Sequence, residues 1–247
     1  MSYPDSILSR VTKPGRYTGG EWNSVVKDWA DIEVSVALAY PDLYEIGMSN
    51  LALPILYEIL NSRAGILAER AFAPWVDMEA AMRQSGIPLL SLESKRPLAD
   101  FDIIGFSLGY ELTYTNVLNM LDLAGIPVLA IDRSDSHPLV IAGGSCTLNP
   151  EPMADFVDAF AIGDGEELAI DLVEEFRRCK SEGLRRDDVL LQLARIPGVY
   201  VPSLYKAEYG PNGSFSGLHP KVSQAKSRIQ RRIIAELPPQ VTKPVVP

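Results

Sequence analysis

Between Glu33 and Lys180, short apolar runs of strand length alternate with longer stretches that carry apolar residues at helical spacing. Strands that recur with a helix between each pair need right-handed crossovers, so the pattern predicts a parallel sheet buried on both faces, a doubly wound α/β domain. The strand-length runs are Glu33–Tyr40, Ala68–Pro74, Ile87–Leu92, Asp102–Gly109, Pro127–Ile131, His137–Gly144 and Val157–Gly165. The intervening helices are expected over Leu51–Leu60 behind a candidate N-cap at Ser49, over Val76–Ser85 stopped by Gly86, and over Thr113–Ala124 ended by Gly125. Glu166–Lys180 follows, with Leu168, Leu172, Val173 and Phe176 on one face.

The flanks read differently. Residues 1–32 mix Pro14, Gly15, Gly19 and Gly20 with scattered charges and predict an irregular lead-in to a domain of residues 33–182. Residues 183–247 predict a short helix at Asp187–Gly198, a hairpin turning at Pro211-Asn212-Gly213, and a proline-punctuated extended linker from Arg231 to Pro247.

Composition narrows the class. No stretch reaches the roughly 18 uninterrupted apolar residues of a membrane helix, and the first residues lack a secretory signal pattern, so a soluble cytoplasmic protein without membrane contact is expected. Only Cys146 and Cys179 are present, 33 positions apart, which is neither a disulfide framework nor a spacing that ligates zinc or an iron–sulfur cluster. The net charge is −9, yet five cations (Lys221, Lys226, Arg228, Arg231 and Arg232) fall in a twelve-residue window without an acid. That segment reads either as a solvated face or as a docking element for RNA or another acidic surface.

Ligands of open parallel sheets sit beyond the carboxyl ends of the strands, so the loops there are the candidate site. After the first strand, Asp42-x-Tyr44-x-x-Gly47 places an acid, a ring and a permissive glycine. After Asp102–Phe106 come Ser107, Leu108, Gly109 and Tyr110, small residues where a flat ligand can approach the backbone. Gly143, Gly144 and Ser145 form a strand end with paired glycines, followed by the Asn149-Pro150-Glu151-Pro152 stretch. Gly163, Asp164, Gly165 and Glu166 open the last helix, where acids either cap it or meet a ligand.

The order of these pieces resembles the N-terminal cobalamin-binding-type domain of B12-binding radical SAM proteins. The stretches KPGRYTGGEWNS at Lys13–Ser24 and YPDLYEIGMSNLALPILYEIL at Tyr40–Leu60 resemble one uncharacterised subfamily of that group, and the resemblance covers almost the whole chain. It implies a flavodoxin-like Rossmann domain whose carboxyl edge cradles cobalamin. It also implies a following (β/α) barrel with a three-cysteine motif that binds a [4Fe–4S] cluster and S-adenosylmethionine and serves as this domain's own partner. No such motif occurs here, so the chain is expected to be a fragment cut before that barrel, without catalytic or metal-ligating residues of its own.

The pattern is departed from twice. Family members with D-x-H-x-x-G supply a histidine as lower cobalt ligand, but here that position is Tyr44, and His137 and His219 lie elsewhere. Cobalamin is therefore expected without histidine ligation. The Ser-x-Leu element is also altered, with Gly109 two residues after Ser107.

An alternative remains open: a degenerate Rossmann scaffold that binds no cofactor and positions a substrate or a partner. Nucleotide enzymes are disfavoured because neither G-x-G-x-x-G after the first strand nor a P-loop occurs, and Ser107 and Ser145 lack a histidine placed to act as base.

Overall fold

The computed structural model describes residues 2–235. Its sheet consists of β1 (Val34–Tyr40), β2 (Ile66–Phe72), β3 (Ile103–Ser107), β4 (Leu139–Gly143), β5 (Ala159–Ala161) and β6 (Val199–Tyr200). The spatial order is β2-β1-β3-β4-β5-β6. The first five are parallel and β6 runs antiparallel to β5. A 2-1-3-4-5 order is the flavodoxin-like doubly wound arrangement, whose order reverses between β1 and β3. The helices are α1 (Asp5–Leu8), α2 (Tyr44–Met48), α3 (Ala52–Asn61), α4 (Val76–Ser85), α5 (Tyr114–Leu123), α6 (Gly165–Ser181) and α7 (Arg186–Leu193). The hairpin of β7 (Tyr205–Tyr209) and β8 (Phe215–Pro220) stands as a separate two-stranded sheet, with Gly213 at positive φ in its turn.

The strands carry apolar residues on both faces because both faces are covered. On one face Ala37, Ile104 and Val140 pack with Met78 and Met82 of α4 and Val117, Met120 and Leu121 of α5. On the other, Val36, Leu38, Ile103 and Ile141 meet Leu53, Tyr57 and Leu60 of α3, Leu168, Leu172 and Val173 of α6, and Val189 and Leu190 of α7. Alternation along each strand assigns neighbours to opposite faces, and burying each such side chain contributes about 1.5–3 kcal/mol. Helix α6 adds a charge pattern that suits its dipole, with Glu166 and Glu167 in the first turn and Arg178 and Lys180 in the last.

Three local expectations are corrected. Ile87–Leu92 is not a strand: Leu89 N–H donates to the Leu123 carbonyl, Leu90 N–H to the Tyr3 hydroxyl and Leu92 N–H to the Arg70 carbonyl. These partners belong to three different parts of the chain, and the one bridge the segment makes is the isolated antiparallel pair Leu90–Pro97, so its apolar residues fill the core without joining the sheet. Pro127–Ile131 is likewise no strand; it leads into a single 3-10 turn at Ala130–Asp132 and leaves Leu129 and Ile131 exposed. Ser49 closes α2, and the residue that caps α3 is Leu51, which offers no side-chain bond; Asn50 just before it accepts from Ala52 N–H through Oδ1 at 3.0 Å.

The flanks join the main body. Tyr3, Ile7 and Val11 of the lead-in are core residues beside α4. Past residue 182, α7 packs with α6 in one apolar cluster and β6 completes the sheet. The linker expected up to Pro247 lies outside the described residues beyond Ala235.

Strand β2 is at an edge, yet all seven of its residues are buried. Most of its outward backbone groups have partners. Lys27 Nζ donates to the Ile66 carbonyl at 2.5 Å, Asn61 both donates to and accepts from Ala68, Glu93 accepts from Arg70 N–H, and Leu92 N–H donates to the Arg70 carbonyl. Side chains and loop thus take the place of a neighbouring strand.

Candidate functional site

The loops after β3 and β4 hold each other. Leu108 N–H donates to the Gly143 carbonyl at 2.7 Å, and Cys146 N–H donates to the Leu108 carbonyl at 3.0 Å. Gly144 has φ +107°, and a Cβ there would stand 2.6 Å from the Leu108 carbonyl oxygen, so only glycine allows this backbone-to-backbone approach. Ser145 Oγ donates to the Gly109 carbonyl. Thr147, fully buried and not among the candidates from sequence, donates to the Gly144 carbonyl at 2.7 Å and joins that turn to the end of β5 through the Ala161 carbonyl.

These loops form one end of a cleft of about 470 Å³ between α3 and α6, over the face of β1, β3 and β4. Its walls are apolar: Ile55 and Leu56 from α3, Ala169 and Leu172 from α6. The floor is kept low by small residues. A Cβ on Gly105 would meet only Leu38 at 3.8 Å, and one on Gly143 would meet only Ala161 at 3.9 Å. Polar groups gather among the lining residues from the loops: Asn50, Ser107, Ser145, Asp164 and Glu166. An apolar slot with a few convergent polar groups is the usual form of a small-molecule site. Its acids stand at the α6 N-terminus, a position that otherwise favours anions, so they disfavour a phosphate there and favour an uncharged group.

Ten of the residues singled out from sequence line this cleft: Ser107, Leu108 and Gly109; Gly143, Gly144 and Ser145; and Gly163, Asp164, Gly165 and Glu166. The other six stand outside it. Asp42 Oδ1 accepts from Leu43 N–H and Gly47 is buried against the Phe72 ring. Tyr110 is exposed on the loop after β3. Asn149 N–H bonds to the Cys146 carbonyl, and Glu151 accepts from the Tyr200 hydroxyl at 2.6 Å, tying its turn to β6.

Tyr44 begins α2 on the β1–β2 side. Its hydroxyl donates to Glu21 Oε1 at 2.9 Å and its ring meets Phe72 edge-on at 5.3 Å. Burial first, and then the Glu21 carboxylate, push the Tyr44 hydroxyl up to about 12. Glu21 in turn pairs with Arg70 at 3.0 Å, and Arg70 pairs with Glu93 at 2.6 Å. Arg70 is 1% exposed and stacks 5.3 Å from the Tyr57 ring. Glu45 of α2 is held by Lys13 and Arg16 of the lead-in. Sequence reasoning missed this network, whose members are separated by 23 to 49 positions and carry no shared motif.

The C-terminal segment returns to the cleft. Arg232 N–H donates to the Ile162 carbonyl at 2.8 Å, Asp164 N–H donates to the Arg232 carbonyl at 3.1 Å, and Ile234 N–H donates to Asp164 Oδ2 at 2.9 Å. Arg232 also pairs with Glu167 and Asp171 of α6. Of the other cations in the basic segment, Lys221 Nζ donates to the Ser203 carbonyl and Lys226 Nζ to the Arg195 carbonyl, while Arg228 and Arg231 are exposed.

Both histidines lie away from the cleft. His137 Nδ1 accepts from Ser134 N–H at the amino edge of the sheet, and His219 is on β8 beside Glu208. That amino edge bears a second hollow, of about 480 Å³, whose Lys180 and Arg186 are paired with Asp102 and Asp158. Cys146 and Cys179 are buried in apolar clusters on opposite faces of the sheet. They cannot share a metal cluster, and among the described residues no group of three or more His, Cys, Asp or Glu side chains is placed to hold a metal ion. No helix of the described residues is long and apolar enough to cross a membrane.

Compared with known proteins, the chain has no match among the curated proteins or the solved structures. A family model does match. It is described as radical SAM proteins, N-terminal, and it aligns with residues 52–202, from α3 through β6 and including the cleft loops after β3, β4 and β5. Since this span exceeds half the sequence, the chain belongs to the radical SAM N-terminal family.

Proposed function

We propose that this chain is a corrinoid-binding N-terminal module of a radical SAM enzyme, with the slot between α3 and α6 receiving the uncharged aromatic base that ends a cobalamin's nucleotide tail, and the tail's phosphate staying outside the acidic mouth. The observation that carries this reading is the open floor of the slot, where Gly105 and Gly143 leave room beneath apolar helical walls. A flat aromatic base fits such a space. Around it, the Ser107–Gly109 backbone, the Gly143–Ser145 turn and the Gly163–Glu166 turn would hold the group. A bound corrinoid supplies a cobalt centre. Tyr44, at the position where other family members carry a histidine, offers that centre no ligand, because its hydroxyl is committed to Glu21.

The remaining parts of the proposal follow from the surface. The carboxyl edge exposes Ile46, Leu51, Trp75, Tyr110, Leu112 and Leu148 on the loops after β1 to β4. An apolar rim of this kind suits a covering domain, here the barrel that would bind the [4Fe–4S] cluster and S-adenosylmethionine. Two buried free thiols agree with a reducing, cytoplasmic setting. Any acidic partner, RNA included, would meet Arg228 and Arg231, since the other three cations of that segment bind within the chain.

The experiment is gel filtration of the full chain after incubation with hydroxocobalamin, read by visible absorbance. The expected result is co-elution with the protein, weakened by about tenfold or more in Gly105→Leu, which fills the slot, equivalent to about 1.4 kcal/mol of binding. A folded wild-type chain that elutes free of corrinoid overturns the proposal. The second reading, a scaffold that binds no cofactor, is favoured by Tyr44 standing outside the cleft, and that same outcome would favour it over the corrinoid.

A further inference from the structure

We propose that residues 231–235 form a latch whose seating is coupled to occupancy of the α3–α6 cleft. The inference deepens the corrinoid reading, since it concerns regulation of the same cleft.

The turn Gly163-Asp164-Gly165 belongs to two structures at once. Its inner side lines the cleft, together with Glu166. Its outer side is paired with the latch through the bonds Arg232 N–H to Ile162 carbonyl, Asp164 N–H to Arg232 carbonyl and Ile234 N–H to Asp164 Oδ2. Gly163 shows why the two sides cannot move independently. It has φ +118°, and a Cβ there would run into the Arg232 backbone, so the conformation of the turn is fitted to the seated latch. Arg232 adds two ion pairs, to Glu167 at 3.0 Å and Asp171 at 3.1 Å, on the first turns of α6.

Release of the latch changes what a ligand meets. With it seated, both the amide and the carboxylate of Asp164 are engaged, and Arg232 offsets two of the acids beside the α6 N-terminus. With it released, the Asp164 groups are free to turn into the cleft and the acids of α6 stand uncompensated. A ligand that contacts this turn therefore distinguishes the two states, and its binding must shift the latch as much as the latch shifts its binding. The latch itself is held by a few bonds on a largely exposed segment, with Arg231 and Ile233 facing solvent, the kind of element that opens before the core does.

Amide hydrogen exchange of the full chain tests this, with hydroxocobalamin and the uncharged dye Nile red as probes. Binding of either probe is expected to slow exchange of the Arg232 and Ile234 amides by about fivefold or more, although neither residue lines the cleft. Arg232→Glu is expected to weaken probe binding by the same factor, and Arg228→Glu, the same charge change on an exposed cation outside the latch, is expected to leave it unchanged. If the probes bind and the latch amides do not respond, or if the two variants behave alike, the latch is overturned while the cleft stands as a site. A response to Nile red without any retention of hydroxocobalamin upholds the latch and rejects the corrinoid. Binding of neither probe rejects both.

Discussion

On the β3–β5 half of the carboxyl edge the loops lean on one another's backbones and leave the α3–α6 slot open; on the β1–β2 half, side chains from the lead-in and from residue 93 fill the space. Glycines serve both halves in opposite ways. Gly105 and Gly143 keep the slot empty, whereas Gly47 lets α2 pack directly on the Phe72 ring. Charge is likewise used differently. Acids beside the slot face a mouth, but Glu21 and Glu93 are consumed by the buried Arg70. The same edge of one sheet therefore holds a site and an anchor, and glycine or acid alone does not tell them apart.

The largest expected effect falls on the anchor. Arg70→Met leaves two carboxylates buried without a counter-charge and should cost about 3–5 kcal/mol in urea unfolding, part of it recovered when Glu93→Leu and Glu21→Leu are added. A loss below about 1 kcal/mol would mean that water enters that half freely.

The glycine contrast comes next. Gly47→Ala should cost about 1–3 kcal/mol because the Phe72 ring must shift. Gly105→Ala, which has room and an ordinary φ, should change stability by less than about 1 kcal/mol and in the favourable direction. Equal effects would erase the distinction between the filled and the open half.

The smallest effect is electrostatic. Hydrogen bonding from Arg16 first, with Lys13 behind it, holds the Glu45 carboxyl down at about 2 against an ordinary value of 4.5. A carboxyl lowered in the folded state stabilises above its unfolded value and loses that contribution as pH falls towards the folded one. The side chain is 44% exposed, so solvent screening limits the contribution to less than about 1 kcal/mol. The stability difference between wild type and Glu45→Gln should thus be present at about pH 6 and shrink by about pH 2.5. A difference that grows on acidification breaks the assignment.

Periodicity made the strands β1, β3 and β4 and helix α6 legible, because each buries a regular face. Ile87–Leu92 and Pro127–Ile131 misled for the same physical reason: an apolar run reports burial, and burial does not require a place in the ladder. The carboxyl-edge loops were legible as a group, but the causes of their glycines were not. Gly144 and Gly163 are required by the chain's own backbone, at Leu108 and Arg232, and those partners lie far away in sequence. The Arg70 network was hidden for the same reason, and a buried arginine on an edge strand gives no local signal.

The occupied outer side of β2 has one more consequence. The Ile66 carbonyl and the amides and carbonyls of Ala68 and Arg70 are bonded to Lys27, Asn61, Glu93 and Leu92, so most of the ladder that a strand from another copy would extend is already taken. Edge-to-edge polymerisation through this side would first have to strip away the lead-in. The side chains that fill this half thereby also hinder the addition of a strand at its edge.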